Sequence, residues 1–157
     1  MKKLIPFILC LCLLFGCSAR SGDTLENPVQ PSTREEIETL DGVSITLPKD
    51  TADAQWSRIM ADGIIDQVAF TFQECAYCYR VKETGELEDI SGMNYEWGEP
   101  EGGEVSPDAP RLFTNEDGQG VILWYQDGHT HCVSLSEHAT TDKLLTAYFQ
   151  ITGTSVK

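Results

Sequence analysis

The sequence predicts an α+β domain: an antiparallel sheet of six or seven strands with a C-terminal helix packed on one of its faces. Three observations carry that expectation. Short runs alternate apolar and polar residues along much of the chain, as half-buried strands do. Asp127-Gly128 joins two such runs, and a two-residue Asp-Gly link is a strong hairpin signal because both positions need φ > 0. Beyond them, Leu144, Leu145, Tyr148 and Phe149 recur at the spacing of one helix face.

Taken in order, Val43-Ser44-Ile45-Thr46-Leu47 alternates and stops at Pro48, which predicts a first strand. Thr51 can cap a short helix near residues 52–61, with Trp56, Ile59 and Met60 on one face and Gly63 at its end. Val68, Phe70 and Phe72, then Tyr77, Tyr79 and Val81, predict the inner faces of a hairpin that turns at Gln73 to Cys75. Ile90, Met93, Tyr95 and Trp97 continue the alternation. Residues 98–110 read as an acidic, Gly- and Pro-rich loop, Leu112-Phe113 as a short strand and Asp117-Gly118 as a turn. Val121 to Tyr125 and His129 to Leu135 flank Asp127-Gly128, and Thr140 or Thr141 caps a helix that Gly153 follows.

The first sixteen residues differ from the rest. Met1-Lys2-Lys3 is positive, and Leu4 to Phe15 is uncharged. That is a secretory-signal pattern, too short for a membrane span of about 20 apolar residues. Its end, Leu14-Phe15-Gly16-Cys17, resembles the lipobox of bacterial lipoproteins, with Phe15 bulkier than usual. The resemblance implies cleavage after Gly16, a diacylglycerol thioether on Cys17 and further acylation by chains such as palmitate. Two or three such chains hold a protein on a bilayer, where one alone binds marginally. The expected location is therefore an extracytoplasmic membrane surface, either the outer leaflet of a single-membrane cell or an envelope membrane of a two-membrane cell.

Residues 1–16 are thus read as signal peptide, 17–36 as lipidated cysteine and tether, and 37–157 as a single domain. Ser18 to Arg34 is rich in Ser, Thr, Pro and Gly, and folded sequence is expected to begin near Ile37. Loss of Lys2 and Lys3 leaves 9 basic against 25 acidic residues, a charge of −16. Such a chain excludes nucleic acid as a partner and avoids anionic lipid.

The segment Gly120-Val121-Ile122-Leu123-Trp124-Tyr125, with Asp127-Gly128, Val133-Ser134-Leu135 and Thr141 leading to Leu144-Leu145, is similar to the closing hairpin and helix of a group of uncharacterised bacterial extracytoplasmic domains. These occur as small lipoproteins and at the outer ends of anti-sigma-factor-like membrane proteins. Val68-Ala69-Phe70, Tyr77 to Arg80 and Asp89 to Met93 add to the likeness, which spans roughly Val43 to Phe149. It implies a curved antiparallel sheet, no known enzymatic activity and no catalytic residues.

Three cysteines remain once Cys10 and Cys12 leave with the signal and Cys17 takes lipid. Cys75 and Cys78 are spaced C-x-x-C, but at a hairpin rather than at the helix N-terminus that redox use of that spacing needs. A structural disulfide from Cys132 to Cys78 or Cys75 is one reading; Cys78 and Cys132 are both out of phase with their strands' core residues and can meet if those strands are neighbours. Alternatively Cys75, Cys78, Cys132 and His129 make up a tetrahedral zinc set by ligand type. Beside a turn, His129 and His131 also read as solvated rim residues. Glu96, Glu99, Glu101, Glu104 and Asp108 lack the ligand order of a calcium loop. Trp56, Trp97 and Trp124 read mainly as packing. The functional expectation is a non-enzymatic binding or interaction module for an envelope protein or extracellular ligand, with no cofactor; the competing class is a small zinc or thiol protein.

Overall fold

The computed structural model describes residues 28–60, 63–101, 106 and 109–154. Among them run β1 (Val29–Pro31), α1 (Arg34–Leu40), β2 (Ala52–Met60), β3 (Ile64–Phe72), β4 (Cys75–Glu83), β5 (Arg111–Thr114), β6 (Gly120–Gln126), β7 (His129–Leu135) and α2 (Thr141–Thr152). The strands form one antiparallel sheet in the order β1-β2-β3-β4-β7-β6-β5. The first four meander inward from one edge. The chain then crosses to the far edge at β5, and β6 and β7 return until β7 lies against β4.

Two-residue turns set the registers of both long hairpins. Gln73 and Glu74 close β3–β4 at φ 48° and 60°, and Asp127 and Gly128 close β6–β7 at φ 50° and 82°. Positive φ at both central positions matches the twist of the flanking strands. The cross-strand rows follow: Phe70 opposite Tyr77, Val68 opposite Tyr79, Tyr79 opposite Val133, Ile122 opposite Val133.

These rows make one face of the sheet the main core. Val68, Phe70, Tyr77, Tyr79, Val81, Ile122, Trp124, Val133 and Leu135 are buried there together with Ile37 of α1, Val43 and Ile45, and Leu144, Ala147 and Ile151 of α2. The other face carries a smaller core. Val121, Leu123 and Cys132 are buried against Ile90, with Leu87, Met93, Trp97 and Phe113 packed round them. Residues 84–97 are thus a strap across the second face. β6 is covered on both sides, which accounts for its continuous apolar run instead of an alternating one.

Thr140 caps α2, its hydroxyl accepting from the Lys143 backbone N–H, and Gly153 ends it at φ 67°. Gly120 lets β6 approach the helix, because a Cβ there would stand 2.9 Å from Leu144 Cδ1 and 2.8 Å from Ala139 Cβ.

Four expectations need correction. The helix near residues 52–61 is strand β2, with Trp56 opposite Val68 and Ile59 opposite Ile65. The Thr51 hydroxyl donates to the Pro48 carbonyl at 2.7 Å and caps nothing. Residues 43–47 belong to no strand, although their alternation is real, since Val43 and Ile45 are buried and Ser44 and Thr46 exposed. Met93 to Trp97 form no strand either; they are part of the strap. Finally, part of the stretch read as tether is folded: β1 pairs with β2, and α1 begins in a capping box of Thr33 and Glu36. The expected signal peptide, Cys10, Cys12 and the lipid site Cys17 lie outside the described residues.

Candidate functional site

On the main-core side, where the β6–β7 turn meets residues 42–46 and the end of α2, a cleft of about 380 Å³ opens. Its floor is Tyr79, Trp124 and His131, its walls Ser44, Thr46, Gln126 and His129. Alternation along β7 brings His131 here, two residues from Val133 and four from Leu135, which face the same core.

The floor is fixed by contacts. The His131 imidazole stacks on the Trp124 indole, with ring centroids 5.1 Å apart and planes 8° from parallel. Its Nδ1 lies 2.9 Å from the Tyr79 hydroxyl oxygen. Tyr148 of α2 meets Trp124 edge-on, with ring centroids 5.1 Å apart. Burial holds His131 at a pKa of about 4, helped by the charge of His129, while the Gln126 backbone and Asp127 pull the other way. The ring is therefore neutral at physiological pH. Burial likewise pushes the Tyr79 hydroxyl upward, with the neighbouring Cys132 adding to the shift. Neither group is tuned towards neutrality, where acid–base catalysts work best. The chemistry this floor offers is stacking and hydrogen bonding.

A second cleft of about 360 Å³ lies beyond Val43 and His129, which line both. Asp66 projects into it although only 3 % exposed. Arg58 Nε donates to Asp66 Oδ1 at 2.9 Å, and its Nη2 donates to Asp41 at the end of α1. Burial, then the Asp41 charge, raises the Asp66 pKa to about 6.

The cysteine sites do not assemble as a zinc set. Cys78 and Cys132 do share the second face of neighbouring strands, but the register sets Cys78 opposite Ser134 and Cys132 opposite Arg80. Both thiols, and that of Cys75, are free. Cys75 sits at the β3–β4 turn and packs against the main core, on the opposite face from Cys78. His129 pairs with Glu83 at the far end of β4. The zinc set is thus divided between two faces and two ends of the sheet. Among the described residues no three His, Cys, Asp or Glu side chains are grouped to hold a metal. Cys132 is fully buried under the strap, which pushes its thiol pKa well upward.

In the acidic loop, Glu101 receives the hydroxyls of Thr114 and Thr141, tying the loop to β5 and to the start of α2. Glu104 and Asp108 lie outside the described residues.

No family model, curated protein or solved structure matches this chain. Among the described residues no helix is long and apolar enough to cross a membrane.

Proposed function

We propose that this protein is a membrane-anchored, extracytoplasmic binding module, non-enzymatic and similar to small bacterial lipoproteins, that takes a neutral polar ligand in the His131 cleft. The observation that carries the ligand site is the neutral imidazole held flat between Trp124 and Tyr79 at the base of a 380 Å³ cleft. That volume is within the range of small-molecule sites, which combine apolar walls with a few placed polar groups. The walls here supply the hydroxyls of Ser44 and Thr46 and the amide of Gln126. With a neutral floor and Asp127 on the rim, an anion gains nothing from entering. A hydroxyl- or amide-bearing ligand, the size of a small sugar or short peptide, fits this chemistry. The anchor is supported by the lipobox-like Leu14 to Cys17 and the charged, then uncharged, residues before it.

The experiment is a titration of the full chain with neutral saccharides and blocked peptides, read by indole and imidazole NMR shifts. Binding should move the Trp124 and His131 signals together and be lost in His131→Ala. Ligands that bind with unchanged affinity to that variant would place the site elsewhere. Mass spectrometry of Cys17 in the exported protein tests the anchor separately.

A further inference from the structure

Apolar side chains gather at the end of the sheet where the chain enters the fold. The Met60 backbone N–H donates to the Pro28 carbonyl at 2.8 Å, which puts the first described residue beside the end of β2. Met60 pairs with Ile64 across the β2–β3 hairpin, and they are 47 % and 41 % exposed. Leu40, which lines the same cleft as Ile64, is 66 % exposed. On the other face the register sets Val29 beside Ile59 and Ile59 beside Ile65. Of the six large apolar side chains exposed among the described residues, four (Val29, Leu40, Met60 and Ile64) are on the β1–β3 side of this end, and Tyr125 is in the same cross-strand row on β6. A patch of this kind, apolar on both faces of a hairpin end, marks contact with another surface.

We infer that this end of the sheet docks on a lipid surface, with Leu40, Met60 and Ile64 entering the headgroup boundary. The inference rests on the lipid anchor at Cys17 proposed above. Ten residues, Ser18 to Asn27, separate that anchor from Pro28. Even fully extended, that stretch spans no more than about 40 Å. The anchored chain enters the fold at the β1 edge, beside Met60, which is the edge the anchor is joined to. The β5 edge lies six strand spacings away, roughly 29 Å at the usual separation. The lipid supplies the residence on the membrane, and the patch sets which way the domain faces. Docking is apolar in character, because the cleft directly behind the patch sets Lys82 beside Asp41, Asp66 and Glu83, two of them already paired with Arg58, and the chain without residues 1–16 carries −16. A zwitterionic surface suits it, an anionic one opposes it, and salt strengthens it on the latter.

The test uses the lipidated full chain in phosphatidylcholine vesicles carrying brominated acyl chains, which quench nearby indoles. Tryptophan is placed at the patch (Met60→Trp) or, as reference, at the exposed turn before β6 (Glu116→Trp). Quenching of the added indole should be at least about twofold greater for Met60→Trp, and adding Ile64→Glu should remove most of that excess. Equal quenching at the two positions, with lipid confirmed on Cys17 by mass, overturns the docking and leaves the anchor standing. A Cys17 without lipid overturns both. A dimer that Ile64→Glu dissociates, without selective quenching, assigns the patch to a second copy and also overturns the docking.

Discussion

His131 lies flat on Trp124, 8° from parallel, yet the ring stays neutral well below the pH at which a free histidine takes up its proton. An imidazolium over an indole gains on the order of 1 kcal/mol from the ring's quadrupole. Burial outweighs that gain and sets the sign of the shift.

Acid should therefore act through His131 in one direction. Between pH 6.5 and about 4 the unfolded chain carries a proton on residue 131 that the folded chain does not. Stability from this group is complete above pH 6.5 and falls as pH drops towards 4, by on the order of 2–3 kcal/mol. His131→Gln should remove that loss, so urea midpoints at pH 7 and pH 4.5 should lie closer together than in the parent.

Asp66 should act in the opposite direction. Its folded pKa of about 6 lies above the ordinary 3.8, so between those values the folded state holds the extra proton. Stability from this carboxyl rises as pH falls through 6 and is smallest above it, a swing on the order of 2–3 kcal/mol. The two groups offset each other in the parent. Asp66→Asn should uncover a steeper acid loss between pH 6 and pH 4, measured by the same unfolding series.

The strap depends on Gly92. A Cβ there, at φ +66°, would overlap Arg80 Nη1. That guanidinium donates to the carbonyls of Ile90 and Ser91, while its Nε donates to Gln67. Gly92→Ala should cost about 1–3 kcal/mol by displacing Arg80 and straining the backbone. Gly85→Ala, with nothing within 4 Å and no positive φ, should stay within about 0.5 kcal/mol. Paired chemical-denaturation curves check both.

Thr130 holds the other end of the strap. Fully buried, it donates to the Glu86 carbonyl, accepts from the Glu88 backbone N–H and shares a 2.8 Å contact with the Thr84 hydroxyl. Thr130→Val keeps the shape and removes the oxygen, with an expected loss of about 1–3 kcal/mol. Amide exchange should show the loss as faster opening at residues 86–88 rather than across the sheet.

Thiol accessibility follows the same layering. Cys75 and Cys78 are half-buried and Cys132 is fully buried. A maleimide applied to native protein should label Cys132 last, and Gly92→Ala should speed that step specifically.

The hairpins were legible because their signals are local. Asp127-Gly128 needs only its own φ values, and the Val68 to Val81 rows need only their own alternation. The error at β2 has a physical origin. Ala52 to Met60 lies near the sheet edge with no buried residue, so its side chains show no inside–outside rhythm, and Trp56, Ile59 and Met60 fall by chance at helical spacing. Residues 43–47 show the reverse. Alternation records which side chains are buried and is silent on whether a partner strand lies alongside. The start of α1 was readable from Thr33-Arg34-Glu35-Glu36, a capping-box pattern hidden within a polar stretch. For the site, the phase of β7, with Val133 and Leu135 inward, carried a signal for His131 that its reading as a solvated rim residue beside the turn overlooked. What the sequence withheld was the pairing of β4 with β7, which alone brings Tyr79 beside that imidazole and separates Cys75 from His129.

That central pairing also governs how fast the molecule assembles. Glu83 and His129, the partners nearest in sequence across it, stand 46 positions apart. β2, β3 and β4 on one side, and β5, β6 and β7 on the other, are joined through hairpins that zip locally, whereas the seam waits on a long loop closure. Until it forms, β4 presents an unsatisfied edge to solvent, and the encounter of the two halves is the expected slow step of refolding.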